Sequence, residues 1–380
     1  MSSVDSAARR AVEQALERAG ARVGGPDPWD IHVHDPRFWR RVALGGSLAL
    51  GDSYMDGWWD CAAIDELTAR VLASSGDEAV FDWRTAALAT ASRLVNLQSS
   101  RRAGQVAEVH YDLDTELFAA MLGPTMAYSC AYWRAADDLD AAQRAKFELV
   151  CAKLYLGTDE SLLDIGCGWG GLCRHAVDSR GARAVGVTVS APQRDWAAAH
   201  DDGRGAEYHA LDWRDPALAR MGPFDKLCSV GMFEHVGHRN YRAFFESAHR
   251  LLRDDGLFLL HTIGNEHGRT DAWLNRHIFP NGALPATADI SRAVQGLFVI
   301  EDWHNFRADY DRTVTAWHAN FLRHAEARGR RCRRGSDGCG AIIYRRWPGR
   351  SAPAVAISCG RSCCRSAGCG AGTDRSAERA

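Results

Sequence analysis

The chain has no apolar run approaching the roughly 20 residues that a membrane-spanning helix needs. Met1 to Arg22 alternates charges with alanines where a secretory signal would carry an apolar core. Both absences predict a cytoplasmic protein whose contact with any membrane is peripheral. A surplus of positive charge is missing too. The formal net charge is −2, and the residues before Arg323 carry 33 basic against 44 acidic side chains. An acidic body of this kind speaks against nucleic acid as a partner, because phosphates reward clustered Lys and Arg. Cysteine is present in 12 copies, but the six before residue 323 lack both metal-ligand spacing and a paired framework. They read as free buried thiols, and no metal is expected. Lysine is nearly absent, 3 against 43 arginines, as in the product of a GC-rich gene.

The 380 residues, 46% hydrophobic and 25% charged, suffice for one large domain and a smaller one. From Val4 to Val23, Val12, Leu16 and Ala19 recur at helical spacing, and Gly24-Gly25-Pro26 stops the pattern. Gly turns and a Trp-rich patch, Tyr54 to Trp59, follow, with a helical pattern through Leu67 and Val71 and a polar linker at Gln98 to Gln105. Beyond Val106 the pattern changes. Ser161–Ile165, Ala184–Val189, Lys226–Val230 and Gly256–Ile263 are short β-rich runs separated by helical segments, which predicts a mostly parallel α/β sheet. The expected division is a helical substrate- or membrane-associated domain over 1–100, a catalytic domain over 101–322, and a tail over 323–380.

Leu162 to Gly171, LLDIGCGWGG, reads as a buried strand, a Gly-rich turn and a helix start, the arrangement that lays a ligand against backbone N–H groups. The letters fit the weak dinucleotide pattern G-x-G-x-x-G. However, Asp164 precedes the first glycine, and the second strand ends in Thr188 where a dinucleotide enzyme would place a carboxylate. The spacing D-x-G-x-G-x-G resembles the first motif of class I S-adenosylmethionine methyltransferases, and implies their Rossmann-like fold. Asp164, Gly166, Gly168, Trp169, Gly170, Thr188, Gln193, Asp212 and Trp213 are then the expected cofactor-binding residues; Trp213 alone would more often be core.

HYDLDTELFAAML (His110 to Leu122), YSCAYW (Tyr128 to Trp133), VGMFEHVGHRNY (Val230 to Tyr241), LLHTIG (Leu259 to Gly264), IFPNGALP (Ile278 to Pro285) and EDWHNFRADYDRT (Glu301 to Thr313) together resemble the cyclopropane synthase family. SLALGDSYMDGWWDC near the N-terminus is similar to its bacterial phospholipid branch, and the likeness extends over about Asp30 to Leu322. The resemblance implies that Tyr128 and Ser129 close over the sulfonium of S-adenosylmethionine. It further implies that Cys130, Glu234, His261, Ile263 and Tyr310 line a catalytic site holding a bicarbonate ion. The implied reaction converts the double bond of a membrane phospholipid acyl chain to a cyclopropane, by an enzyme transiently associated with the inner face of the cell membrane, with a homodimer left open. A poor nucleophile such as an isolated alkene needs alignment with the methyl donor in a dry pocket. The open alternatives are a fatty-acyl methyltransferase leaving a methyl or methylene branch, and an inactive binder of the cofactor or lipid.

After Leu322 the likeness stops. The family continues with an aromatic-rich segment containing a cysteine; here Gly335 to Cys364 reads GSDGCGAIIYRRWPGRSAPAVAISCGRSCC. Back-translated and read one frame away, the stretch permits the family's ending, although its cysteine cannot appear there. A frameshift between about Leu322 and Gly335 accounts for this, and predicts a tail without order: it has six cysteines, 13 Arg against 4 acidic residues, and no apolar period.

Overall fold

The computed structural model describes residues 3–74, 115–265, 270–277, 282–306, 308–327 and 354–360. The linker at Gln98 to Gln105 and the boundary near residue 100 lie outside them.

The first helix, α1 (Ser3–Arg18), buries Val12 and Leu16, with Ala19 just beyond it. It stops before the Gly-Gly-Pro signal because Gly20 adopts φ +68° and Leu16 O accepts from both Ala19 N and Ala21 N. The buried carboxylate of Asp30 then holds the following turn, accepting from Arg22 N at 2.6 Å and Asp27 N at 2.9 Å. A two-stranded antiparallel ribbon, β1 (His32–Val33) with β2 (Trp59–Asp60), flanks α2 (Phe38–Met55), which is kinked at Gly46; α3 (Ile64–Ser74) completes the module. Its apolar core gathers Val12, Leu16, Ile31, Phe38, Trp59 and Leu67, and is closed by Trp273 and Leu274 from far along the chain. The two parts of the chain therefore share a core.

After α4 (Thr115–Leu122) and α5 (Leu139–Lys153), strands and helices alternate: β3 (Ser161–Ile165), α6 (Gly171–Arg180), β4 (Arg183–Thr188), α7 (Ala191–Ala199), β5 (Glu207–Ala210), α8 (Pro216–Ala219), β6 (Phe224–Val230), α9 (Tyr241–Leu251) and β7 (Leu252–Ile263). Leu162, Leu163, Leu227, Phe258 and Leu259 are fully or almost fully buried, as strands covered on both faces require. The remaining elements are α10 (Ala272–His277), α11 (Thr287–Val294), β8 (Val299–Asn305), α12 (Ala308–Ala327) and β9 (Ala354–Gly360). The seven-stranded sheet has the order β5-β4-β3-β6-β7-β9-β8, with the first five strands parallel and β9 antiparallel to both neighbours. This is the expected α/β sheet with a smaller, mainly helical N-terminal part.

Two elements fall in the stretch read as a disordered tail from residue 323, and correct that expectation. The helix α12 continues to Ala327, and Ala354–Gly360 pairs along its length with β7 and β8 as β9. The physical reason is backbone satisfaction: β7 and β8 each present a ladder of donors and acceptors to the gap, and a short run such as Ala-Val-Ala-Ile can fill it whatever its frame.

Candidate functional site

Parallel strands place their C-terminal ends, and the loops that follow, along one edge of the sheet. At β3 that edge is the glycine loop. Gly166, Gly168 and Gly170 have φ of +90°, +54° and +76°, the left-handed region open to glycine at little cost. A Cβ on Gly170 would sit 2.5 Å from Tyr208 Cε1, whereas one on Gly168 would face open space. The loop is thus packed from behind and open in front. Asp164 is buried at the strand end, its Oδ1 has no hydrogen-bond partner among the described residues, and burial raises its carboxyl to about 7. At the end of β4, Thr188 Oγ1 donates to Gln193 Oε1 at 2.9 Å, fixing that amide in the first turn of α7. Asp212, beyond β5, is gripped by the Arg214 guanidinium at 2.6 and 2.8 Å. An orphaned carboxylate oxygen, an open glycine backbone and polar groups at the ends of three adjacent strands suit a nucleoside with a charged amino-acid arm.

Two expected cofactor residues also take part in packing. Trp213 lies in the core under β6, edge-on to Phe244 at 5.4 Å, with Arg214 over its ring at 4.9 Å. Trp169 is buried against Phe118 at 5.1 Å, in the cluster that also contains Trp317.

Next to this edge a cavity of about 50 Å³ is walled by Tyr128, Ser129, Cys130, Glu234, His261, Ile263 and Tyr310, which are all five expected catalytic residues and both expected sulfonium neighbours. Leu274, Leu284 and Trp317 extend its apolar wall. Glu234 enters on a single 3₁₀ turn (Phe233–His235) after β6, and its Oε1 accepts from Ile263 N at 2.6 Å. The Ile263 amide is therefore occupied by protein. Oε2 of Glu234 has no partner among the described residues, and burial pushes the carboxyl up to about 7. His261, near the end of β7, stands edge-on to Phe306 at 5.0 Å with Nδ1 unpartnered among the described residues; burial lowers it to about 3, so the ring is neutral. Cys130 Sγ donates to Ala131 O at 3.3 Å, and burial, aided by Asp309, raises the thiol far above its usual range, leaving it unreactive. Burial also holds Tyr310 protonated.

A neutral imidazole, a phenol and a half-protonated carboxyl offer donors to a small oxyanion, and the volume holds a few water-sized groups. The donor set fits bicarbonate.

Sequence reading missed the supports of this wall. Gln143 and Lys146 on α5 are both buried; Gln143 Nε2 donates to Ala127 O (3.2 Å) and Ser129 O (3.0 Å), and Lys146 Nζ to Ser129 Oγ (2.8 Å). From the other side Thr313 Oγ1 accepts from Ala131 N (3.0 Å) and Trp133 Nε1 (2.9 Å). A spacing of three between Gln143 and Lys146, amid the apolar Leu139, Ala142, Phe147 and Val150, was the available signal: two polar groups on an inward face.

The mycolic acid cyclopropane synthetase family model matches residues 98–332. The chain is 45% identical over 316 residues to the cyclopropane-fatty-acyl-phospholipid synthase of Escherichia coli K12, covering 82% of each. It is 38% identical over 225 residues to a probable fatty acid methyltransferase of Pseudomonas putida, covering 56% of each. Among solved structures, the cyclopropane synthase MmaA2 of Mycobacterium tuberculosis superposes with a TM-score of 0.58 at 27% identity, over 68% of this chain and 98% of that one. CmaA1, a mycolic acid cyclopropane synthase complexed with SAH (S-adenosylhomocysteine) and CTAB, gives 0.57 at 29% identity, over 68% and 98%. The chain belongs to the mycolic acid cyclopropane synthetase family, and is an S-adenosylmethionine-dependent methyltransferase.

Proposed function

We propose that the protein adds a one-carbon unit to the cis double bond of an unsaturated phospholipid acyl chain and closes it to a cyclopropane ring. The observation that carries this reading is the convergence of Glu234, His261, Tyr310, Tyr128 and Ser129, from four separate segments, on one buried cavity beside the glycine loop. Bound S-adenosylmethionine supplies an electrophilic methyl, and bicarbonate in the cavity a small base for the proton lost as the ring closes. The chain's own residues prepare the place for both. Asp164 and the glycine loop hold the amino-acid arm of the cofactor, with Thr188 and Gln193 beside them. Tyr128 stands at the boundary, its ring 5.1 Å from Trp317 and 5.7 Å from Phe118, so aromatic faces meet developing positive charge. Leu274, Leu284, Ile263 and Trp317 exclude the water that would quench a carbocation. His261 and Tyr310 hold the anion by donation, and Glu234, fixed by Ile263 N, orients it.

No helix among the described residues is long and apolar enough to cross a membrane; in this proposal the phospholipid is met at the bilayer surface. The test is lipid mass spectrometry after expression in a host that makes unsaturated phospholipids. A saturated product heavier by one carbon and two hydrogens, with a ring by NMR, supports the proposal. A methyl or methylene branch would replace it with the fatty-acyl methyltransferase reading, and tight cofactor binding without product would indicate an inactive binder.

A further inference from the structure

Lys146 is one of the chain's three lysines, and it is buried in the protein interior with 1% of its surface exposed. Ser129 Oγ, 2.8 Å away, is the one hydrogen-bond partner of its Nζ among the described residues. A buried ammonium with a single hydroxyl partner is costly unless a further negative charge offsets it. Asp164 on β3 lies within electrostatic range, but burial pushes that carboxyl towards its neutral form. The other titratable groups facing Lys146 are Cys130 on the cavity wall and His261 on β7, neither of which is negative. The site as it stands is short of an anion.

The hydrogen bond also has a direction. An ammonium has three donors and no acceptor, so Ser129 Oγ must accept from it, and the hydroxyl proton of Ser129 is left to point elsewhere. Ser129 lines the cavity, and Gln143 fixes its backbone by binding the Ala127 and Ser129 carbonyls. Were Lys146 a neutral amine, its lone pair would compete for that same proton.

We propose that Lys146 is a positioning residue that makes Ser129 an obligate hydrogen-bond donor and supplies the counter-charge for a carboxylate-like oxyanion bound next to it. Two sources carry that chemistry: the α-carboxylate of S-adenosylmethionine and bicarbonate in the cavity. The inference rests on the functional reading above. Burial lowers Lys146 to about 7, so the ammonium predominates below that pH and is lost above it.

The experiment measures binding without lipid, so that no turnover occurs. Wild type, Lys146→Met, Ser129→Ala and the double variant are titrated calorimetrically with S-adenosylmethionine and with its decarboxylated form. The rise in melting temperature on adding sodium bicarbonate is recorded for each. If the cofactor carboxylate is the anion, Lys146→Met weakens S-adenosylmethionine by about tenfold and leaves the decarboxylated ligand unchanged. In wild type the affinity then falls as pH rises through about 7, and in Lys146→Met this dependence is flattened. If bicarbonate is the anion, both nucleoside affinities hold and the bicarbonate-induced rise is lost in Lys146→Met. In either case Ser129→Ala gives the same selective loss and the double variant adds nothing further; Ser129→Ala alone decides the matter if Lys146→Met does not fold. Equal weakening of both nucleosides with the bicarbonate response retained, or no change at all, overturns the inference. A wild type that binds neither nucleoside overturns the functional reading and this inference together, whereas a wild type that binds both beside an indifferent Lys146→Met overturns this inference alone.

Discussion

Glu234→Gln should make the protein more stable and nearly inactive, and the size of the first effect follows from the carboxyl's surroundings. Burial raises Glu234 from its ordinary 4.5 to about 7, opposed by donation from Ile263 N. The folded state therefore holds the proton more tightly than the unfolded chain does. Between pH 4.5 and about 7 the unfolded chain has lost that proton and the native state has not, so stability falls as pH rises through this window. A shift of this size corresponds to about 3 kcal/mol, fully expressed above the folded value. A glutamine has nearly the shape of the protonated acid, can still accept from Ile263 N, and carries no charge to desolvate. The variant should match wild type at pH 4.5 and exceed it by about 3 kcal/mol above neutrality. Urea denaturation at several pH values measures this. Cyclopropane formation should fall about 10²-fold or more, because an amide can donate to the anion but cannot take up and release a proton beside it as the carboxyl can. Calorimetry should find the affinity for S-adenosylmethionine unchanged, since Glu234 stands on the turn after β6 and not in the glycine loop after β3. A stability difference that does not vary with pH would refute the electrostatic account, and a parallel loss of cofactor affinity would refute the placement of Glu234.

His261→Ala should likewise lower product formation about 10²-fold while sparing cofactor affinity. Because burial holds the ring neutral down to about pH 3, the wild-type pH–rate profile above pH 4 should contain no limb that this substitution removes. Gly170→Ala forces a left-handed residue and drives a methyl to 2.5 Å from Tyr208, so thermal melting should show a loss of about 1–2 kcal/mol or more. Cofactor affinity should fall with it; unchanged affinity would show that the loop does not hold the ligand.

The strands were legible because each is a short apolar run covered on both faces; Ser161–Ile165 has the same bounds in sequence and structure. The site was legible through motifs. Tyr128, Cys130, Glu234, His261 and Tyr310 are scattered over nearly half of the chain, and no period links them; only their joint occurrence in known segments predicted that they meet. What the motifs could not convey was direction. Ile263, expected to line the anion site, lines the cavity but gives its amide N–H to Glu234, and Trp213, expected beside the cofactor, packs against Phe244 and Arg214. Both outcomes depend on packing between segments distant in sequence. The same holds for Trp273, which reads as an isolated aromatic but closes the N-terminal core, standing so close to Gly51 that a Cβ there would overlap its ring.

The tail shows how far backbone pairing can proceed without the matching side chains. Ladder hydrogen bonds need only N–H and C=O groups in register, and β9 supplies them from Ala354 to Gly360 between β7 and β8. His261 stands opposite Ala356 in this ladder, so the slot borders the catalytic cavity. Yet AVAISCG carries no aromatic residue, whereas the alternative frame permits the aromatic-rich ending of the family. Strand propensity is chiefly the packing of side chains on the pleated surface, so a run without aromatic residues offers less to pack than an aromatic-rich one. Restoring the alternative frame from about Leu322 should therefore raise melting temperature and cyclopropane yield together, through the aromatic side chains that it would add. Expressing both versions and comparing the two quantities tests this. If the sequence as it stands is equally stable and equally active, the ladder alone suffices, and residues 328–380 form a genuine extension that the reaction does not need.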